Sequence, residues 1–286
     1  MRPFRLGSTT PGRRPTAFTL IELLTVLAII AILAAVAVPV VSSLKPNVTA
    51  AATRQLLDDV ARARQFAISQ RTTVYMVFVP TNFWNDPAYT ATVGSWSQAD
   101  LTRANKLLDK QLIAYNFVSL RSLGDQPGRG NPQYLASWKT LPDGAFIPLP
   151  KFWQRNPNNP ALNIYTNGNV APAYRIYGFA TTNNIPFPSE TTPPRIVGGV
   201  RTWVTLPYIA FDYTGQVVHG PNEPYGCELI PLAKGAVGFS RNANKIPLQA
   251  LPSITEQPAG NSTNAYNLVK VEWLTGRARV ERLEIQ

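Results

Sequence analysis

The sequence predicts an α+β protein in which a long N-terminal helix packs on a C-terminal domain rich in antiparallel β-sheet with long loops. Three observations lead to this fold class. Residues 18–41 are almost wholly apolar, an amphipathic pattern continues to about residue 70, and the rest of the 286 residues alternates short β-branched and aromatic runs with turns. Most of the 26 prolines follow residue 79, which argues against a helical body.

The apolar segment 18–41 is long enough for a membrane span. As a helix it would measure about 36 Å, against a hydrocarbon core of about 30 Å. Residues 1–17 are polar and carry four arginines without an acid, so this end is expected to stay in the cytoplasm while the C-terminal domain is exported. The segment also contains Glu22, and a lone carboxylate near the middle of a bilayer costs about 2.5–3.5 kcal/mol on insertion scales.

Residues 42–72 predict an amphipathic continuation of this helix. Apolar residues recur at spacings of three and four, at Val48, Ala52, Leu56, Val60, Ala63 and Ala67. The charged residues of the segment are expected to lie mostly off this stripe, Asp58 and Asp59 included. Pro39 and Pro46 interrupt the helical hydrogen bonding, so a bend or local melting is expected between them. The second half of the helix should therefore pack on a sheet.

Residues 73–286 predict an exported, β-rich globular domain. A buried strand is expected at 73–79, a helix at 101–112 capped by Ser97 or Asp100, and a strand at 115–120. Short strands are expected at 145–147, 174–180 and 237–241. Turns at Thr214-Gly215 and Thr275-Gly276 predict two hairpins, 203–218 and 267–285.

The composition makes several kinds of chemistry unfavourable. Cys227 and His219 are the only residues of their types, so a disulfide within the chain and a Cys/His zinc site are excluded, and Cys227 is expected to be a buried free thiol. The sequence has no phosphate-binding loop, no GxGxxG after a predicted strand and no HExxH. Paired carboxylates for glycoside hydrolysis stay open as an alternative, although no pair stands out among the few acids. The net charge of +11 is spread along the chain, which makes nucleic-acid binding unlikely. We expect no enzyme activity, cofactor or metal.

Three aromatic clusters leave two interpretations open. Phe83-Trp84, Phe152-Trp153 and the aromatic residues between 208 and 213 have the ring faces needed to stack on sugars or bases. They serve equally well as core or loop-anchoring residues, and we favour this second interpretation.

The N-terminal segment admits three interpretations. It is compatible with an ordinary secretory signal cleaved after Ala35-Val36-Ala37, although an acid inside the apolar region is unusual for such signals. A twin-arginine signal would use Arg13-Arg14, but the apolar run is too long and too hydrophobic. Third, RRPTAFTLIELLTVLAIIAILAAVAVPVV resembles the class III signal of type IV pilins and type II secretion pseudopilins.

The resemblance implies specific roles for four residues. A prepilin peptidase would cleave between Ala17 and Phe18 on the cytoplasmic side and methylate the new N-terminus of Phe18. Glu22 would pair with the Phe18 amine of a neighbouring subunit in a filament, and Pro39 would bend the helix. Ala17 departs from the family, which most often has Gly at this position, so slower cleavage is expected. The alternative for Glu22 is that its side chain reaches the lipid headgroups.

Three further stretches resemble the H-type minor pseudopilins. They are AATRQLLDDVARARQFAISQRTTVYMVF, at the junction of helix and first strand, and the later strands IAFDYTGQV and VEWLTGRARVERLEI. The long insertions between residues 80 and 200 depart from that family.

The resemblance implies a minor pilin or pseudopilin of a type II secretion or type IV pilus-like filament. Such a subunit spans the bacterial inner membrane once, with its domain in the periplasm. Its partners are the prepilin peptidase, other pilins, membrane lipid and the assembly platform. The alternative is an exported binding module or enzyme on a pilin-like anchor.

Overall fold

A computed structural model describes residues 20–43, 48–121, 124–126, 130–153, 164–165, 176–219 and 226–281. The chain divides into two units, Met1–Pro46 and Asn47–Gln286; we call the second unit the body. The helices are α1 (Leu20–Ser43), α2 (Val48–Gln70), α3 (Pro87–Thr92), α4 (Gln98–Leu107) and α5 (Asn261–Asn264).

The strands of the body pair in antiparallel fashion throughout. Their bounds are β1 (Val74–Phe78), β2 (Ala114–Ser119), β3 (Gln133–Tyr134), β4 (Lys139–Thr140), β5 (Ala145–Phe146), β6 (Ile164–Tyr165), β7 (Ile176–Tyr177), β8 (Ala180–Thr182), β9 (Arg195–Val197), β10 (Val200–Thr202), β11 (Leu206–Phe211), β12 (Glu228–Gly238), β13 (Ser253–Glu256), β14 (Asn267–Val271) and β15 (Ala278–Glu281).

Two sheets dominate the body. A six-stranded sheet has the order β3-β2-β1-β11-β8, with β4 also on β2, and a five-stranded sheet has the order β13-β12-β14-β15, with β5 also on β12. Helix α2 lies against strands of both sheets, so it closes the main core from one side. The predicted α+β class with antiparallel sheets is confirmed for the body.

The apolar stripe predicted on α2 is the face that packs on the sheets. Ala52, Leu56, Val60 and Ala63 are fully buried in the main core. One expectation was wrong: Asp59 also lies inside, at 4 % exposure. Asp59 follows Leu56 by three residues and precedes Ala63 by four, so it lies on the stripe and its carboxylate needs partners there.

Strand β1 is buried on both faces, as its unbroken apolar run predicts. Val74, Met76 and Phe78 face the main core with α2, whereas Val77 belongs to a second core that includes residues of α3 and α4. The body therefore has three layers at this point, with the six-stranded sheet in the middle.

Local signals placed several elements correctly. Ser97 is the N-cap of α4, because its hydroxyl accepts a hydrogen bond from the Asp100 N–H at 3.2 Å. The turn between β14 and β15 contains Gly276 with φ +61°, a conformation that favours glycine.

Helix α4 ends at Leu107 rather than at the expected residue 112. The chain cannot continue as a helix to residue 112, because Leu112 adopts φ +66° and its N–H bonds to the Val79 carbonyl.

The longest strand of the body escaped prediction. Strand β12 runs for 11 residues, of which only the last two fall within the expected strand 237–241. Pro231, Lys234 and Gly235 within it are residues that disfavour strands. They are accommodated because β12 changes partners along its length, from β14 to β5 and then to β13.

Two other expectations changed in the structure. The expected strand 174–180 is divided: β7 and β8 flank Phe179, whose N–H bonds to the Lys151 carbonyl, and residues 174–175 lie outside the described part. Cys227 is half-buried rather than buried.

The aromatic pairs are mainly structural. Phe83 and Trp84 lie in the second core, as favoured, and Phe152 packs on Phe179. Trp153 and Tyr213, by contrast, are more than half exposed.

Candidate processing and assembly segment

Glu22 lies in the first turn of α1. Its carbonyl oxygen accepts a hydrogen bond from the Thr25 hydroxyl at 2.9 Å. A carboxylate in the first turn interacts favourably with the helix dipole, which carries partial positive charge at this end. Glu22 therefore lies at the end of α1 where a negative charge is favoured.

Of the other predicted site residues, the structure describes Pro39 alone. Ala17 and Phe18 lie outside the described residues. Pro39 lies within α1, and the expected break between Pro39 and Pro46 falls partly on residues 44–47, outside the described part. Glu22 and Pro39 are 17 positions apart on one helix, about 25 Å at about 1.5 Å per residue, so they serve different parts of the segment.

Apart from Glu22 and Thr25, the described side chains of α1 are apolar, and they are exposed. Large apolar side chains from Leu20 to Leu33 are between 47 % and 82 % exposed. Burying one such side chain fully is worth about 1.5–3 kcal/mol. A helix that is apolar all round belongs in apolar surroundings, which neighbouring helices or lipid can supply. In the described part of the chain, no helix meets the combined length and apolarity of a membrane span.

A polar anchor fastens α2 to the six-stranded sheet. The Asp59 carboxylate forms an ion pair with Lys139 of β4 and accepts a hydrogen bond from the Tyr115 hydroxyl at 2.6 Å. The Gln55 amide donates to the Tyr115 oxygen at 2.9 Å and to the Thr140 carbonyl at 2.8 Å. Burial, together with the Asp59 carboxylate, raises the pKa of Tyr115, so its hydroxyl stays a donor.

A second buried ion pair joins the segment at Lys151 to strand β12. Lys151 is almost fully buried, pairs with Glu228 of β12 and donates to the Tyr177 carbonyl at 2.7 Å. Its ammonium also lies 4.5 Å from the centroid of the Phe179 ring. Sequence reasoning missed both ion pairs, because their partners lie 80 and 77 residues apart in the chain. The one available signal was the position of Asp59 on the apolar stripe.

No group of His, Cys, Asp and Glu side chains within the described ranges is arranged to hold a metal ion.

Comparison with protein families identifies the N-terminal segment. Residues 12–38 match the prokaryotic N-terminal methylation motif, a range that includes Ala17, Phe18 and Glu22. This match supports the pilin-like interpretation of the segment over the two other export signals. Comparison with curated proteins and with solved structures produced no match.

Proposed function

We propose that this chain is a minor pilin or pseudopilin, a structural subunit of a type II secretion or type IV pilus-like filament, without catalytic activity of its own. The observation that carries the proposal is the methylation motif at residues 12–38, with Glu22 in the first turn of an exposed apolar helix. The prepilin peptidase cleaves between Ala17 and Phe18 and methylates Phe18. Residues 18–41 hold the subunit in the inner membrane, with the body in the periplasm, until assembly.

Charge pairing explains why an acid stands in this helix. Cleavage creates a cationic amine on Phe18, and Glu22 of an adjacent subunit is its partner in the filament. At about 4 Å two unit charges attract by about 1 kcal/mol in water but by about 4 kcal/mol at an effective dielectric constant near 20. The packed apolar helices of a filament provide that lower dielectric constant. Assembly therefore waits for processing, because the uncleaved chain lacks the amine.

The body supports a structural role in a second way. Helix α2 is held on the sheets by a continuous apolar face and by the buried Asp59–Lys139 pair. A force applied to α2 is therefore transmitted to both sheets. In the assembled state, α1 packs among other subunits and contacts the assembly platform at the membrane.

The first test is mass spectrometry of the membrane-extracted protein, coexpressed with a prepilin peptidase. The expected N-terminus is Phe18 carrying one methyl group. Ala17→Gly is expected to be processed at least as fast, whereas Ala17→Leu should remain uncleaved because its side chain obstructs the scissile bond. A mature chain that begins at Met1 or at Val38 contradicts the proposal.

The second test separates processing from assembly. Glu22→Gln keeps the size of the side chain but removes its charge, so it should be cleaved and inserted normally yet recovered poorly with co-expressed pilins after cross-linking. Glu22→Asp retains the charge and should assemble better than Glu22→Gln. Normal assembly of Glu22→Gln would show that the carboxylate does not pair with the neighbouring amine.

A further inference from the structure

The body contains a cleft of about 420 Å³ between α4 and two loops. Its size falls in the range of small-molecule sites, about 300–1,000 Å³. The lining combines cations, aromatic rings, hydroxyl groups and one carboxylate, among them Lys106, Lys110, Tyr134, Trp138, Ser189 and Glu190. These residues come from three separate stretches of sequence, so no single sequence motif predicts the cleft.

One wall of the cleft is cationic. Arg103, Lys106 and Lys110 follow one another at helical spacings along α4 and the turn after it. Arg103 is held by Asp100 at 3.2 Å. Within the described residues neither lysine forms an ion pair, and the Asp109 carboxylate beside Lys110 is bound by Arg241 at 2.6 Å. Two ammonium groups thus remain for a ligand.

Two aromatic residues of the cleft lining are fixed in place by their contacts. The rings of Tyr134 and Trp138 lie 6.0 Å apart, and Trp138 also packs edge-on against Phe187. The Tyr134 hydroxyl donates to the Pro186 carbonyl, and its backbone N–H donates to Glu190 at 3.4 Å. The aromatic platform is therefore organised before any ligand arrives, which lowers the entropy cost of binding.

The third side of the cleft is a hydroxyl-bearing loop. The Ser189 hydroxyl donates to the buried Asp100 carboxylate at 2.6 Å, and the Thr191 hydroxyl donates to it at 3.0 Å. These bonds tie the loop to the start of α4. Glu190 between them is an acceptor for ligand hydroxyl groups, and Ser137 adds a hydroxyl on the aromatic side.

We propose that this cleft binds a short saccharide that carries carboxylate groups, such as an oligomer of a uronic acid. The half-buried ring of Trp138 takes the apolar face of a sugar, the Tyr134 ring borders it at a tilt of 49°, and Glu190 with the hydroxyls takes the OH groups. Lys106 and Lys110 take the carboxylate through charge-assisted hydrogen bonds. A polyanion without hydroxyl donors fits less well, because the Glu190 carboxylate repels it and gains no hydrogen bond from it. This inference does not depend on filament assembly.

Isothermal titration calorimetry on the full chain in detergent micelles tests the proposal. Digalacturonate and the galactobiose with the same α-1,4 linkage are a suitable pair of probes, because they differ only in carboxylate versus hydroxymethyl groups. Digalacturonate should bind saturably with Kd below about 1 mM, and galactobiose about tenfold more weakly. Lys106→Gln/Lys110→Gln should remove this preference, whereas Lys234→Gln, an exposed lysine of β12, should keep it.

Trp138→Phe tests the aromatic platform without removing a ring from the core. It should weaken both sugars by a similar factor, in a chain that far-UV circular dichroism shows to be folded. Equal affinity for the two sugars, or no saturable binding of digalacturonate, overturns the proposal. It is also overturned if an acidic peptide or a single-stranded oligonucleotide binds and digalacturonate fails to displace it.

Discussion

Replacing Lys139 by methionine should destabilise the body by breaking the anchor between α2 and the six-stranded sheet. The Asp59 side chain is 6 % exposed and that of Lys139 is 29 % exposed, so the pair is buried mainly on the carboxylate side. Methionine keeps an unbranched, apolar stem next to Phe117, over whose ring the ammonium lies at 5.7 Å. The variant therefore removes a charge with little change in packing, and leaves Asp59 with the Tyr115 hydroxyl as a partner.

The expected magnitude follows from the burial of the two side chains. Removing one partner of a fully buried ion pair costs about 3–5 kcal/mol, because the remaining charge is uncompensated. Water reaches the Lys139 end and the Tyr115 hydrogen bond persists, so we expect a smaller loss, about 2 kcal/mol. For a body of this size that loss lowers Tm by about 4–8 °C.

Urea unfolding of the full chain, followed by far-UV circular dichroism in detergent, measures this loss. Lys234→Met is the matched control, because Lys234 is an exposed lysine of β12, and it should unfold like the wild type. The double variant Asp59→Asn/Lys139→Met removes both charges while the Asn Oδ1 still accepts the Tyr115 hydrogen bond, and it should regain most of the stability. A Lys139→Met variant within about 0.5 kcal/mol of the wild type, or a double variant less stable than Lys139→Met, would refute the reasoning.

Three further predictions concern other parts of the body. Burial alone would raise the pKa of Asp100, but hydrogen bonds from serine, threonine and arginine side chains lower this pKa below its usual 3.8. The ionised carboxylate therefore stabilises the fold above pH 3.8, and this stabilisation is lost as the pH falls through the folded-state pKa. The urea midpoints of the wild type and Asp100→Asn should accordingly differ at pH 7 and converge in acid. Gly276→Ala should cost about 1–3 kcal/mol because the new methyl group meets backbone as well as a positive φ, whereas Gly198→Ala, with positive φ but open space around it, should cost less in the same unfolding assay. Burial and the Glu272 carboxylate raise the pKa of Cys227, so its alkylation by iodoacetamide should be slow at pH 7 and faster in Glu272→Gln; an unchanged rate would contradict this account.

Local sequence patterns decided the elements whose determinants lie within a few residues. The stripe from Ala52 to Ala67 predicts α2 and its buried face, and the methylation motif at residues 12–38 is readable with no structure at all. The Ser97 cap and the glycine turn at Gly276 are likewise local, because a cap or a positive φ depends on neighbouring residues only.

Tertiary structure decided everything that depends on contacts between distant segments. Strand β12 forms in spite of Pro231 and Gly235 because three different strands pair with it in succession. Asp59 is buried because Lys139, 80 residues away, supplies its counter-charge, and the cleft exists because α4 meets the loops around Trp138 and Glu190. The physical reason is that burial and charge compensation are properties of the packed chain, whereas helical periodicity, capping and turn formation arise within a short stretch of it.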